Sequence, residues 1–202
     1  MWSPDGKHIA YAWSRGGPLG LYVTSADGTG SPEFLYTPRA NLYITDWSRD
    51  GRFLTFYDLE NLYVLPFVAD SAAERRPVIV SRQAVAGRFS PDGRFLAYAS
   101  SQSGPWEIWV RQLDVSGDGR ISVSRDALRI TEQGGICTCG WSPDGRELYY
   151  QALDGSMMAT EIHATPALRA DKPRLLFKGP SVRFPVSNTS ISRDGKQFLF
   201  LF

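Results

Sequence analysis

The 202-residue chain is poor in the residues from which catalytic and metal sites are most often built, with two histidines, two cysteines and three methionines. His8 and His163 stand far apart without the spacing of a ligand pair, and both are expected at strand edges or on the surface. Two cysteines cannot form a disulfide framework, so the redox compartment stays open. Net charge is nearly absent: 22 Lys and Arg against 21 Asp and Glu leave +1, which argues against a nucleic-acid or anionic-membrane surface. No run approaches the roughly 18 apolar residues of a membrane span. No membrane contact by this segment is expected, and the N-terminus does not read as a signal peptide, which says nothing of the parent protein. No G-x-S-x-G elbow, Walker loop, kinase glycine loop, H-R-D or D-F-G occurs. These absences predict a segment that is not an enzyme and carries no cofactor or metal.

What the chain has is repetition. Trp2-Ser3-Pro4-Asp5-Gly6 recurs as Trp47-Ser48-Arg49-Asp50-Gly51, Phe89-Ser90-Pro91-Asp92-Gly93, Trp141-Ser142-Pro143-Asp144-Gly145 and Ile191-Ser192-Arg193-Asp194-Gly195. Steps of 45, 42, 52 and 50 residues mark an array of similar units, the period of a propeller or solenoid. With 43% hydrophobic and 13% aromatic residues, the material suits a large, strand-rich core. The unit boundaries fall near 1–40, 41–83, 84–133, 134–182 and 183–202, within one continuous structure.

One unit predicts four strands. In the third, Val85–Phe89 leads into the turn Ser90-Pro91-Asp92-Gly93, where proline sets φ, aspartate bonds the backbone and glycine takes positive φ. Strands follow at Arg94–Ala99, Trp106–Arg111 and near Ala127–Ile130, with a turn region over Asp114–Asp118. Phe53-Leu54-Thr55-Phe56-Tyr57 and Phe95-Leu96-Ala97-Tyr98-Ala99 are apolar on consecutive positions, the mark of a sheet covered on both faces. Small sheets stacked in series are propeller blades, and the leading Trp2, Trp47, Phe89 and Trp141 are expected as wedges between them. The fold class is therefore all-β, a β-propeller of four-stranded antiparallel blades, incomplete in this chain at about four blades plus one hairpin. Because the phrase begins at Trp2 without the apolar run that precedes its other copies, the chain is expected to be a piece of something longer. Either further blades complete the ring or copies associate through open faces, and a stable monomer in light scattering would count against both.

The pattern [WF]-S-[PR]-D-G-[KR] followed by an aromatic-rich strand resembles the WD40-like (PD40) repeat of TolB-type propellers, over essentially the whole chain. Phe89–Val110, Glu147–Gly179 and Ser192–Phe198 also resemble the propeller C-terminal to bacterial membrane serine/threonine kinases. That resemblance implies a binding or sensing module on a bacterial membrane protein, placed in the periplasm or otherwise outside the cytoplasm. Similar repeats form the gating propeller of prolyl-oligopeptidase-type peptidases and periplasmic TolB-like interaction proteins, and these remain alternatives. A protein or peptide partner is expected, and sequence adjoining the segment would discriminate the readings.

Three local features invite chemistry. Cys137-Thr138-Cys139 would put two thiols on one strand face; core packing accounts for them, with a redox pair or a metal site as alternatives. Asp114-x-Ser116-x-Asp118-Gly119 is similar to a calcium loop but carries Arg125 where a bidentate glutamate is needed, so a polar turn is expected. The recurring aspartates are accounted for by turn hydrogen bonding. Binding is expected instead at the loops entering each innermost strand, whose candidate residues are Arg39, Asn41, Arg82, Gln83, Glu132, Arg183 and Phe184.

Overall fold

A computed structural model describes residues 1–14, 16, 19–38, 41–58, 60–67, 76–135, 137–179, 189–192 and 194–200. Blade 1 comprises β1 (His8–Trp13), β2 (Gly20–Ser25) and β3 (Glu33–Tyr36). Blade 2 comprises β4 (Tyr43–Trp47), β5 (Phe53–Tyr57), β6 (Asn61–Pro66) and β7 (Val78–Arg82). Blade 3 follows with β8 (Ala84–Phe89), β9 (Phe95–Ser100), β10 (Glu107–Val115) and β11 (Ile121–Arg129). Blade 4 has β12 (Cys137–Trp141), β13 (Glu147–Gln151) and β14 (Ser156–His163), whose outer edge is shared by β15 (Arg169–Ala170) and β16 (Arg174–Lys178). A last hairpin joins β17 (Thr189–Ile191) to β18 (Phe198–Phe200). Every pairing is antiparallel and, apart from β14 with β16, between consecutive strands, so the all-β propeller architecture holds, with β4, β8, β12 and β17 adjacent in series.

The consecutive apolar runs are explained by strand pleat. β5 and β9 are buried at every position. Leu54, Phe56, Tyr63 and Leu65 pack with Ala10, Leu21, Val23 and Leu35 of blade 1, whereas Phe53, Tyr57, Leu62 and Val64 pack with blade 3. Alternate side chains on one strand therefore serve two different neighbours. Blade 4 repeats the division, with Leu148 and Tyr150 toward blade 3 and Tyr149 and Met157 toward Ile191 and Phe198. The remaining face of blade 1 carries the rings of Tyr11, Trp13, Tyr22 and Phe34 in mutual contact.

Each repeated phrase closes a hairpin through one network. Ser90 Oγ donates to Asp92 Oδ1 at 2.6 Å and accepts the Phe95 amide at 2.9 Å, while the Arg94 amide donates to Asp92 at 3.1 Å. The Ser3, Ser48, Ser142 and Ser192 turns repeat it. Hydrogen bonds from serine, then from the following backbone amide, hold the carboxyls of Asp5, Asp144 and Asp194 below the ordinary aspartate range. The turn glycines also make room between units. A Cβ at Gly145 would meet Pro91 at 3.3 Å, and one at Gly195 would meet Pro143 at 2.9 Å, so each turn seats against the proline of the one before.

Several expectations need correction. Trp47, Phe89 and Trp141 are buried wedges, but Trp2 is 59% exposed and joined to Ile9 only by an isolated bridge, because no sheet among the described residues covers its ring. The β10–β11 hairpin is longer than anticipated. Its turn is confined to Ser116–Gly119, and pairing resumes at Val115 and Ile121. That turn, like Ser25-Ala26-Asp27-Gly28, repeats the serine–aspartate network without a wedge before it, so the motif serves the third-to-fourth strand hairpin as well. At Cys137-Thr138-Cys139 the side chains, and with them the expected shared face, lie outside the described residues, and the backbone bulges between Thr138 and Gly140.

Candidate functional site: an axial cleft and a loop cleft

Bulges interrupt several ladders of the blades, and three innermost strands place one at the same point. In each of these it falls shortly before the wedge: between Ile44 and Asp46 in β4, Val85 and Arg88 in β8, and Thr138 and Gly140 in β12. In β8 the irregularity uses Ala86 at φ 57°. A bulge re-aims the residue that follows it. Asp46, Arg88 and Gly140 thereby come to line one cleft of about 370 Å³ at the turn end of the blades, walled by Trp47, Phe89, Trp141, Pro91 and Pro143.

Side chains stitch the cleft across blades. Asp46 Oδ2 accepts the Phe89 amide at 2.8 Å, and Trp141 Nε1 donates to the Arg88 carbonyl at 3.1 Å. Arg49 Nη1 reaches the Pro143 carbonyl at 3.3 Å, from the blade 2 turn to the blade 4 turn. Burial pushes the Asp46 carboxyl above its ordinary pKa, against the pull of Arg88 and the Phe89 amide. The cleft thus offers a carboxyl, two guanidinium groups and aromatic walls. Neither histidine side chain bonds a hydroxyl among the described residues. His8 packs edge-on to Phe67, and His163 lies 3.1 Å from Asp171.

At the other end lies a cleft of about 520 Å³ between Glu60, Asn61, Arg82, Gln83 and Gln102. Its walls are preset by buried Asp58, which accepts the amides of Glu60 and Asn61 at 2.8 and 2.7 Å and the Tyr63 hydroxyl at 3.0 Å. Burial, first among its causes, pushes the Tyr63 phenol up to about 12. Gln83 sits in the left-handed region at φ 46°, and its carbonyl accepts the Ser101 amide at 3.0 Å.

Of the sequence candidates, the structure brings Arg82 and Gln83 together on this loop cleft. Asn41 and Glu132 are exposed on their own loops outside it, and Arg39, Arg183 and Phe184 lie outside the described residues. Glu60, Asn61 and Gln102 were missed because they lie in, or just after, the loops between second and third strands, not in those entering the innermost strand. Asp46 and Arg88 were missed as well; their signal is a position just before the wedge that varies while the phrase after it repeats.

At the outer edge of blade 4, Glu161, His163 and Asp171 bring ligand atoms within 4.8 Å of one another. Arg169 already pairs with Asp171 at 2.9 Å there, and two of the three groups are exposed, as acidic surface clusters commonly are.

No protein-family model matches the chain. An uncharacterised protein of Agrobacterium fabrum is 30% identical over 125 residues, covering 60% of this chain and 42% of its own length. Among solved structures, TolB of Acinetobacter baumannii superposes with a TM-score of 0.64 at 20% identity, over 96% of this chain and 47% of that one. A TolB-like protein of Agrobacterium tumefaciens gives 0.64 at 22% identity, over 98% and 71%. The chain has a TolB-type β-propeller fold, and it spans less than half the length of the curated relative it matches.

Proposed function

We propose that this chain is the recognition portion of a larger bacterial protein, a non-catalytic propeller segment that binds an extended stretch of a partner protein in the axial cleft. The observation that carries this reading is Arg88. Its guanidinium lines the cleft without a hydrogen bond among the described residues, while its own carbonyl and the neighbouring Asp46 are held by bonds from adjacent blades. A charged group held ready beside aromatic and proline walls suits an acidic peptide, whose carboxylate an arginine grips with two parallel bonds. The fold supports this reading only in kind, since propellers host many functions. Kinase-associated sensing and periplasmic TolB-like interaction both belong within it.

Selection of phage-displayed random peptides on the purified chain tests the proposal. The expected result is a family of peptides carrying Asp or Glu, whose affinity drops roughly tenfold or more in Arg88→Gln, the loss of one charge-assisted contact. Gln83→Ala in the loop cleft should leave their binding unchanged. Peptides indifferent to Arg88→Gln but lost with Gln83→Ala would move the site to the other end of the blades and refute the axial assignment.

A further inference from the structure

The junction of blades 2 and 3 encloses a third concavity, which shares only the rim residue Gln102 with the loop cleft. It measures about 220 Å³ and is lined by Ser81, Tyr98, Ser100, Trp109, Arg111 and Ala127, with exposed Gln102 and Ser103 at its rim. Trp109 pairs with Tyr98 across β9 and β10, and Arg111 follows two residues later, so the pleat sets all three on one sheet face. Arg111 Nη1 donates to the Val80 carbonyl of blade 2 at 2.6 Å, which pins the guanidinium across the junction.

Two donors remain. Arg111 Nε–H and Trp109 Nε1–H are buried and have no acceptor among the described residues. No salt bridge among the described residues engages Arg111. An indole and a guanidinium can only donate, so no side-chain rotation lets them satisfy one another. Burial raises the neighbouring Tyr98 phenol, against the pull of the same guanidinium. Packing alone accounts for the ring and the aliphatic stem, but not for two orphaned donors beside one cavity.

We propose that this cavity is a binding site for a small carboxylate. One guanidinium edge, through Nε, receives the anion; Trp109 Nε1–H supplies a further bond. The Tyr98 and Trp109 rings with Ala127 face its apolar body. Two orphaned donors match the two oxygens of a carboxylate and leave a phosphate, with three charged oxygens, under-coordinated. This proposal goes beyond the peptide-binding reading and does not rest on it, because none of its lining residues belongs to the axial cleft.

The test follows the Trp109 indole N–H resonance of the full ¹⁵N-labelled chain, assigned by its loss in Trp109→Phe. Sodium benzoate, acetate and phosphate are titrated, with sodium chloride as the ionic-strength control. The expected result is a saturable downfield shift with both carboxylates and none with chloride. Arg111→Gln should weaken benzoate binding by about tenfold or more. Trp109→Phe, measured by calorimetry, should weaken it similarly while melting no lower than the parent, since it removes an unsatisfied donor and keeps a ring. Absence of a saturable shift with every anion would leave the donors to water and overturn the proposal. Phosphate binding as tightly as benzoate, or unchanged benzoate affinity in both variants, would overturn it equally.

Discussion

Leu54 and Leu62 are the same residue type, both wholly buried, on neighbouring strands of blade 2, yet they belong to different junctions. Leu54 packs with Ala10, Leu21 and Val23 of blade 1. Leu62 packs against blade 3, close enough that a Cβ on Gly87 would meet its Cδ1 at 3.0 Å. Leu54→Ala and Leu62→Ala each delete the same atoms from a site at 0% exposure, so each should cost about 3–5 kcal/mol by transfer and cavity terms. For a chain of this size that amounts to about 10 °C of melting temperature. Native-state hydrogen exchange separates them. Because each unit in a repeat array contacts only its neighbours, Leu54→Ala should loosen amides of β1 and β2 and leave β8 and β9 protected, and Leu62→Ala should do the reverse. If both variants loosened the same amides, the assignment of alternate side chains to opposite neighbours would be wrong.

Three further outcomes are expected. Burial raises the folded-state pKa of Asp46, so the folded protein holds its proton more tightly than the unfolded chain; stability from this group is present below the ordinary value of 3.8 and is lost as pH rises through the raised one. Asp46→Asn should therefore gain on the parent in melting temperature between about pH 4 and pH 7, and a gain that shrinks over that range would contradict the assignment. Trp141→Phe keeps the wedge but removes the donor to the Arg88 carbonyl, so urea denaturation should show a loss of about 1 kcal/mol, against about 3–5 kcal/mol for Trp141→Ala. Ser90→Ala leaves the buried Phe95 amide without its side-chain acceptor and removes one of the three donors to Asp92, costing about 1–3 kcal/mol by the same measurement; no loss would show that the serine–aspartate network is dispensable.

Much of the strand layout was legible because its causes are local. Phe53–Tyr57 was delimited by its apolar run and the turn before it, and the observed β5 has the same bounds. Glycine at φ 72–76° in the Gly51, Gly93 and Gly145 turns follows from turn chemistry contained in a few residues. Elsewhere local logic ran out. The Ser116–Gly119 turn was blurred because the flanking strands are long and polar, and the wedge role of Trp2 depended on a covering sheet that no local pattern could guarantee. Of the site residues, Arg82 and Gln83 were found because they enter an innermost strand. Glu60, Asn61 and Gln102 join them only through the approach of two blades.

The sequence alone determined a repeating four-stranded unit, its hairpin turns and the demand that each sheet be covered on both faces, since periodicity and turn chemistry act over a few residues at a time. The tertiary structure alone decided which neighbour each alternate side chain meets and where the innermost bulges aim Asp46 and Arg88. It alone left Trp109 and Arg111 as unmet donors beside one cavity. Those outcomes depend on how one sheet's surface lies against another's, and partners such as Arg111 and Val80, 31 residues apart, or Arg49 and Pro143, 94 apart, carry no mutual spacing that a linear pattern could register.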